Sequence, residues 1–162
     1  MSNTNVLVVK DKVQRFAKQF FNHVQLDDDG NLSIPYESTN VHIEVFDLTD
    51  ADPDVNAFRK DSDISMTAVQ VWAMVLLDVK GSNDLYKWVA IEGQQFLQGS
   101  FRLVLRDDGL FNLVFSTTLA GDTLDAGELK GALAAIAISA DNEDENLKKK
   151  FGGRTVEDVR NQ

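Results

Sequence analysis

From Val9 onward the large apolar residues fall at Val9, Val13, Phe16, Phe20 and Val24, with Ala17 and Phe21 widening the stripe. Steps of three and four residues keep such side chains on one side of a helix. The spacing predicts an amphipathic helix over about 5–25, capped by Thr4 or Asn5 and stopped by the turn residues Asp27 to Gly30. The period then drops to two. Leu32, Ile34 and Tyr36, then Val41, Ile43 and Val45 across a loop at 37–40, predict a β-hairpin with Pro35 at an edge position. Residues 47–63 hold Asp47, Asp50, Asp52, Asp54, Asp61 and Asp63 with only Leu48, Val55 and Phe58 as apolar anchors, the pattern of an acidic surface loop. The longest strand candidate follows at 64–79, with Val69, Val71, Ala73, Val75, Leu77 and Val79 on one face and Trp72, Met74 and Leu76 on the other. A strand apolar on both sides is either covered by helices on each face or offers one face to a partner.

Gly81 to Asp84 supply a break and a cap, and Leu85, Trp88 and Val89 predict a short helix over about 83–94. Phe101, Leu103 and Leu105 then meet the run Leu110 to Leu119 across Asp108-Gly109, a strong two-residue turn signal, which predicts a second hairpin. Asp125 with Glu128 three residues on matches a capping box. The stripe Leu129, Leu133, Ile136, Ala140, Leu147 and Phe151 predicts a long third helix, with a gap at Glu143 and Asp144 where it would bend or break. Gly152-Gly153 stops it, and residues 154–162 read as a mobile polar tail. The expectation is one α+β domain over 1–153 in the order α-β-β-β-α-β-β-α, with a largely antiparallel five-stranded sheet flanked by helices.

Composition narrows the chemistry. At 162 residues, 43% hydrophobic, the chain is long enough for one core and short for two. No apolar run exceeds the seven residues of Val71 to Leu77, well under the roughly 18 that a membrane helix needs. The absence of cysteine excludes disulfides, thiol catalysis and cysteine-bound metals, and fits a reducing compartment. With no secretory signal at the N-terminus, the expected location is the cytoplasm. A net charge of -10 repels phosphate backbones and anionic lipid, which leaves protein or peptide partners rather than nucleic acid or membrane.

Motifs for catalysis are few. Asp27, Asp29, Gly30 and Asn31 resemble the middle of a calcium loop, but Gln25 and Tyr36 stand where its first ligand and bidentate carboxylate belong, so no metal is expected. His42 and Glu44, two apart on one strand, have the spacing of a base and its orienting carboxylate. A half-exposed surface pair is the simpler account of them, and of His23, the other histidine. Neither a phosphate loop nor a Gly-x-Ser-x-Gly elbow occurs, so no catalytic residue and no cofactor is assigned. Lys10, Lys12, Arg15 and Lys18 form a basic cluster on the first helix, too narrow for nucleic acid. On the third helix Gly127, Gly131 and Ala135 form a small-residue surface, which either packs on the sheet or meets a second copy of the chain.

The C-terminal half carries a resemblance. Leu85 to Phe96, Phe101 to Leu105 with Asp107-Asp108-Gly109, Leu110 to Leu119, Asp125 to Ala140 and the closing Phe151-Gly152-Gly153 resemble the YbjN-like family, related in fold to the dimeric chaperones of type III secretion. The resemblance implies a small, acidic, cytoplasmic protein, often dimeric, that binds peptide or protein segments through apolar surface without consuming nucleotide. Chaperone-like binding by strand pairing or by apolar grooves is then the expected activity. Trp72, Met74 and Leu76, with Phe111, Leu113 and Phe115 beside them, are the expected anchors, and Gly127, Gly131 and Ala135 the expected dimer contact. A regulator that docks one specific protein is the alternative, and an enzyme centred on His42 and Glu44 a more distant one.

Overall fold

The computed structural model describes residues 4–49 and 52–161. The elements in order are α1 (Thr4–Phe20), β1 (Gln25–Leu26), β2 (Leu32–Tyr36), β3 (Thr39–Asp47), α2 (Pro53–Asp61), β4 (Thr67–Val79), α3 (Asn83–Ile91), β5 (Ser100–Leu105), β6 (Phe111–Ala120), α4 (Ala126–Phe151) and α5 (Val156–Arg160). The strands make one antiparallel sheet in the order β1-β2-β3-β4-β6-β5. Because β6 lies between β4 and β5, the chain must return along the sheet after β4, and α3 with a 3-10 turn at Glu92–Gln94 carries it back.

The helices collect on one face. Val9, Val13 and Ala17 of α1 and Leu129, Leu133, Ile136 and Ala140 of α4 pack with Val41, Ile43, Val69, Val71, Ala73 and Val75. Burial along β4 alternates from Val69 to Met74, so its odd-numbered residues face the helices and its even-numbered ones face away. Under α3 the core is aromatic: Trp88 meets Phe101 edge-on at 5.0 Å, and Phe101 lies 4.6 Å from Phe115.

Four expectations are corrected. First, α1 ends at Phe20 rather than near 25, because Gln25 and Leu26 are drawn into pairing with Ser33 and Leu32, which makes the sheet six-stranded. The Asp27 carboxylate closes that hairpin by accepting the N–H groups of Asn31 at 2.8 Å and Asp29 at 3.0 Å. The first of these holds its carboxyl below the usual range. Second, the acidic loop contains α2. Asp52 caps it through the Asp54 N–H at 2.9 Å, and Pro53 takes the first turn, where a missing N–H costs nothing. Asp50, also assigned to that loop, lies outside the described residues.

Third, α4 runs unbroken for 26 residues. The gap in its apolar stripe is filled by Asp144, 6% exposed, which accepts the Ser38 hydroxyl at 2.7 Å. A buried carboxylate given a donor can hold a core-facing position that a bare one cannot. Fourth, the C-terminal residues are docked on the domain rather than trailing from it. Thr155 is buried at 1% exposure and caps α5, and Arg154 pairs with Leu77 through both its N–H and its C=O. Gln162 lies outside the described residues.

Candidate functional site

On the side of the sheet away from α1 and α4, strands β3, β4, β6 and β5 bring together a set of exposed and half-buried positions. His42 and Glu44 of β3 stand beside Trp72 and Gln70 of β4, and Val114 of β6 lies between Met74 and Arg102 of β5. Glu44, Gln70, Trp72, Met74, Arg102, Val104, Asn112 and Val114 line a shallow groove of about 220 Å³. Val114, 2% exposed, is its floor.

The groove is held in shape by pairs across the strands. His42 stacks on Trp72 with ring centroids 4.2 Å apart and planes 17° from parallel. The Trp72 indole Nε1–H donates to Glu44 Oε1 at 3.1 Å, and Arg102 donates to Gln70 Oε1 at 3.1 Å. Burial against the indole pushes the His42 pKa down, outweighing the carboxylates of Glu44 and Asp27, so the ring stacks as neutral imidazole at neutral pH. Asn112 Oδ1 is buried and has no hydrogen-bond partner. A buried acceptor left unpaired is costly.

The expected anchors divide. Trp72 and Met74 line the groove. Leu76, Leu113 and Phe115 are each 0% exposed and lie in the core. An irregularity between Met74 and Leu76 interrupts the alternation, so that Val75 and Leu76 are both buried. On β6, pairing Met74 with Val114 sends Asn112, Val114 and Ser116 outward and Leu113 and Phe115 inward. Phe111 is half-buried and meets Tyr86 edge-on at 5.8 Å. Gln70, Arg102, Val104, Asn112 and Val114 were missed. The polar residues Asn112, Ser116 and Thr118 at every second or fourth position mark the open side of β6 and would have identified it.

The pairing of His42 and Glu44 does not make a base and its orienter, since Glu44 accepts from Trp72 while His42 stacks on the same ring. No cluster of histidine, aspartate or glutamate among the described residues is arranged to hold a metal ion. Of the expected dimer contacts, Gly127 and Gly131 are exposed on α4 and Ala135 is half-buried. No described helix is long and apolar enough to cross a membrane.

The fold is a single α+β domain in which α1 and α4 pack on one face of an antiparallel six-stranded sheet. The chain belongs to the T3SS (YopN, CesT) and YbjN peptide-binding chaperone family 1, TY-Chap1, whose model matches residues 8–159. It is therefore a member of a non-enzymatic, peptide-binding chaperone family. Three solved structures share the fold. The crystal structure of YbjN from E. coli, a candidate transcription regulator, has a TM-score of 0.58 at 13% identity over 88% of this chain and 93% of that one. ExsC in the ExsC–ExsE complex gives 0.55 at 15% identity over 86% and 93%. The Yersinia pestis type III secretion chaperone SycH, in complex with a stable fragment of YscM2, gives 0.51 at 12% identity over 83% and 98%. No curated protein matches the chain.

Proposed function

We propose that the chain holds an extended segment of a partner protein against the bare sheet face, with Trp72 and Met74 as its main apolar contacts. The observation that supports this reading is the groove itself, apolar at its floor and polar at its rim, on the face away from α1 and α4. At about 220 Å³ it lies below the roughly 300 Å³ at which pockets for drug-sized ligands begin. Such a groove suits one or two side chains of a longer segment. Glu44, Gln70 and Arg102 offer hydrogen bonds to that segment's backbone or side chains. Large aromatic side chains at the centre of a contact surface carry a disproportionate share of binding energy, which puts most of the weight on Trp72.

The test is titration with reduced, carboxamidomethylated lysozyme, a permanently unfolded basic chain that the acidic protein does not repel. The Trp88→Phe variant leaves Trp72 as the only tryptophan of the protein, and calorimetry provides the affinity. Binding is expected, and Trp72→Ala should weaken it by about tenfold or more while the circular dichroism is unchanged. Equal affinity for Trp72→Ala removes the sheet face from the reading. No binding by the folded wild type removes the broad chaperone activity and favours a regulator with one specific partner.

A homodimer through α4 belongs to the same proposal. Gly131 has open space where a Cβ would be, so its face is free to meet a second copy. Light scattering of wild type and Gly131→Leu at high concentration tests it: a dimer that becomes a folded monomer supports the contact, and a monomeric wild type removes it.

A further inference from the structure

Past Met74 the strand β4 outruns its neighbour. Pairing with β3 extends only as far as Val41↔Ala73, so the edge of β4 at Leu77 to Val79 has no strand of its own on that side. The chain fills it with its own C-terminal segment. The Leu77 N–H donates to the Arg154 C=O at 2.8 Å and the Arg154 N–H to the Leu77 C=O at 2.9 Å, one complete antiparallel pair. Asp78 accepts Arg154 Nε at 2.7 Å together with a second guanidinium nitrogen of the same residue, and also accepts Arg106. Asp78 sits at φ +58, a left-handed conformation that a residue with a Cβ seldom adopts, at the point where its carboxylate meets both arginines.

The fit is selective. Gly153 has φ +87, and a Cβ there would lie 2.6 Å from the Leu77 carbonyl oxygen, so the residue before the arginine must be glycine. A planar guanidinium can give two bonds to one carboxylate, which a lysine ammonium cannot match in geometry. Farther along, Lys148 pairs with Asp158 at 2.8 Å, and Arg160 donates to Asn40 Oδ1 at 2.7 Å and to the Thr39 carbonyl at 3.2 Å.

The attachment is polar. None of the five residues of α5 is buried. Partly exposed ion pairs contribute little net stability, and a single helical turn does not persist alone. Segments held this way open locally while the core beneath stays closed.

We propose that the Leu77–Val79 edge with Asp78 is a second peptide-recognition site, occupied here by residues 153–160, which takes in exchange an extended glycine-arginine segment from another molecule. It shares no residue with the groove around Trp72, so it stands or falls separately from that reading. The chain's charge of -10 favours the approach of such basic segments.

The test uses the full chain and a fluorescein-labelled peptide with the sequence of residues 151–162. In Arg154→Ala, the Leu77 amide should exchange with solvent about tenfold faster than in wild type, with Val71 and Phe115 unchanged. That variant should bind the labelled peptide about tenfold more tightly than wild type does, and binding should restore protection at Leu77. The same peptide carrying Arg154→Ala should not bind. An unchanged Leu77 amide, or a peptide that fails to bind the opened variant, overturns the proposal. Should Arg154→Ala lose protection at Val71 and Phe115 as well, Arg160→Ala carries the test, because it cuts only the contacts to the β2–β3 turn and Asn40. A gain of about threefold in peptide binding is then expected, and no gain overturns the proposal.

Discussion

Replacing Ser38 with alanine tests how α4 tolerates a carboxylate at a core-facing position. Ser38 Oγ lies 2.6 Å from Asp141 Oδ1 and 2.7 Å from Asp144 Oδ2, while the Ser38 N–H reaches Asp141 at 3.1 Å. Asp144 otherwise has the Glu145 N–H, at 2.6 Å. Burial raises its pKa above the usual carboxylate range, more than the Ser38 hydroxyl lowers it, and Asp141 and Glu145 push it the same way as burial. A hydrogen bond to a charged group contributes about 1.5–3 kcal/mol, so Ser38→Ala should cost that much at pH 7.5. The sign with pH follows from linkage. A carboxyl whose folded pKa is raised binds its proton more tightly in the folded state, so its contribution falls as pH climbs from the unfolded value through the folded one, and is constant above. The loss caused by Ser38→Ala should therefore shrink toward pH 4, as the carboxyl takes up its proton and no longer needs the donor. Urea denaturation followed by tryptophan fluorescence at the two pH values measures both numbers. Equal losses at pH 4 and pH 7.5, or a loss under about 0.5 kcal/mol at the higher pH, would refute the reasoning.

Phe115→Ala should cost about 3–5 kcal/mol in the same assay, because it empties the centre of the aromatic core. Trp72→Ala, on the open face, should cost clearly less, and the reverse order would show that the faces are exchanged. Asp144→Asn should raise stability at pH 7.5 by about 1 kcal/mol and by less at pH 4, since the amide oxygen keeps the Glu145 N–H while its Nδ2–H donates to Ser38 Oγ, whose hydroxyl turns to Asp141, without a buried charge; a loss at pH 7.5 would count against this. Asp52→Ala removes the cap of α2 and should cost about 1 kcal/mol of local stability. Faster amide exchange confined to residues 54–60 is the expected signature, and unchanged exchange there would refute the capping role.

Most of the architecture was readable because two periods alternate cleanly along the chain. Val9, Val13 and Ala17 step at helical spacing and are buried, and Val69, Val71 and Ala73 step at strand spacing and are buried. Short elements were lost for lack of a full period. Gln25–Leu26 is two residues long and exists only because the turn at Asp27 brings Leu32 and Ser33 alongside. For α2, nine residues, the local signal was present in Asp52-Pro53, with Asp54 early and Arg59 and Lys60 late as the helix dipole favours. The acidic composition outweighed it. At the site, alternation correctly set Trp72 and Met74 opposite Val71 and Ala73. It failed at Leu76, because a bulge depends on the partner strand and leaves no mark in the sequence of β4 itself. Phe115, expected beside Trp72 and Met74, lies in the core because the register of β6 turns Asn112, Val114 and Ser116 to the open face instead.

A bare sheet face with an apolar floor is also a surface on which copies of a chain aggregate, and several features here oppose that. The edge strand β1 has two residues, too few to template another sheet. At the other edge, Gln94 Nε2 donates to the Phe101 carbonyl at 3.2 Å, occupying a group that a second chain could otherwise pair with. Glu44, Gln70, Arg102 and Asn112 interrupt the apolar area around Trp72 and Met74. Finally, each copy carries -10, which sets copies against one another but not against a neutral or basic segment. That discrimination depends on charge seen at a distance, so salt weakens it over lengths beyond about 8 Å at physiological ionic strength. Contacts inside the groove are closer than that and keep their strength. On the proposed function, two tasks are separated: long-range charge decides what approaches the open face, and the shape around Trp72 decides what stays.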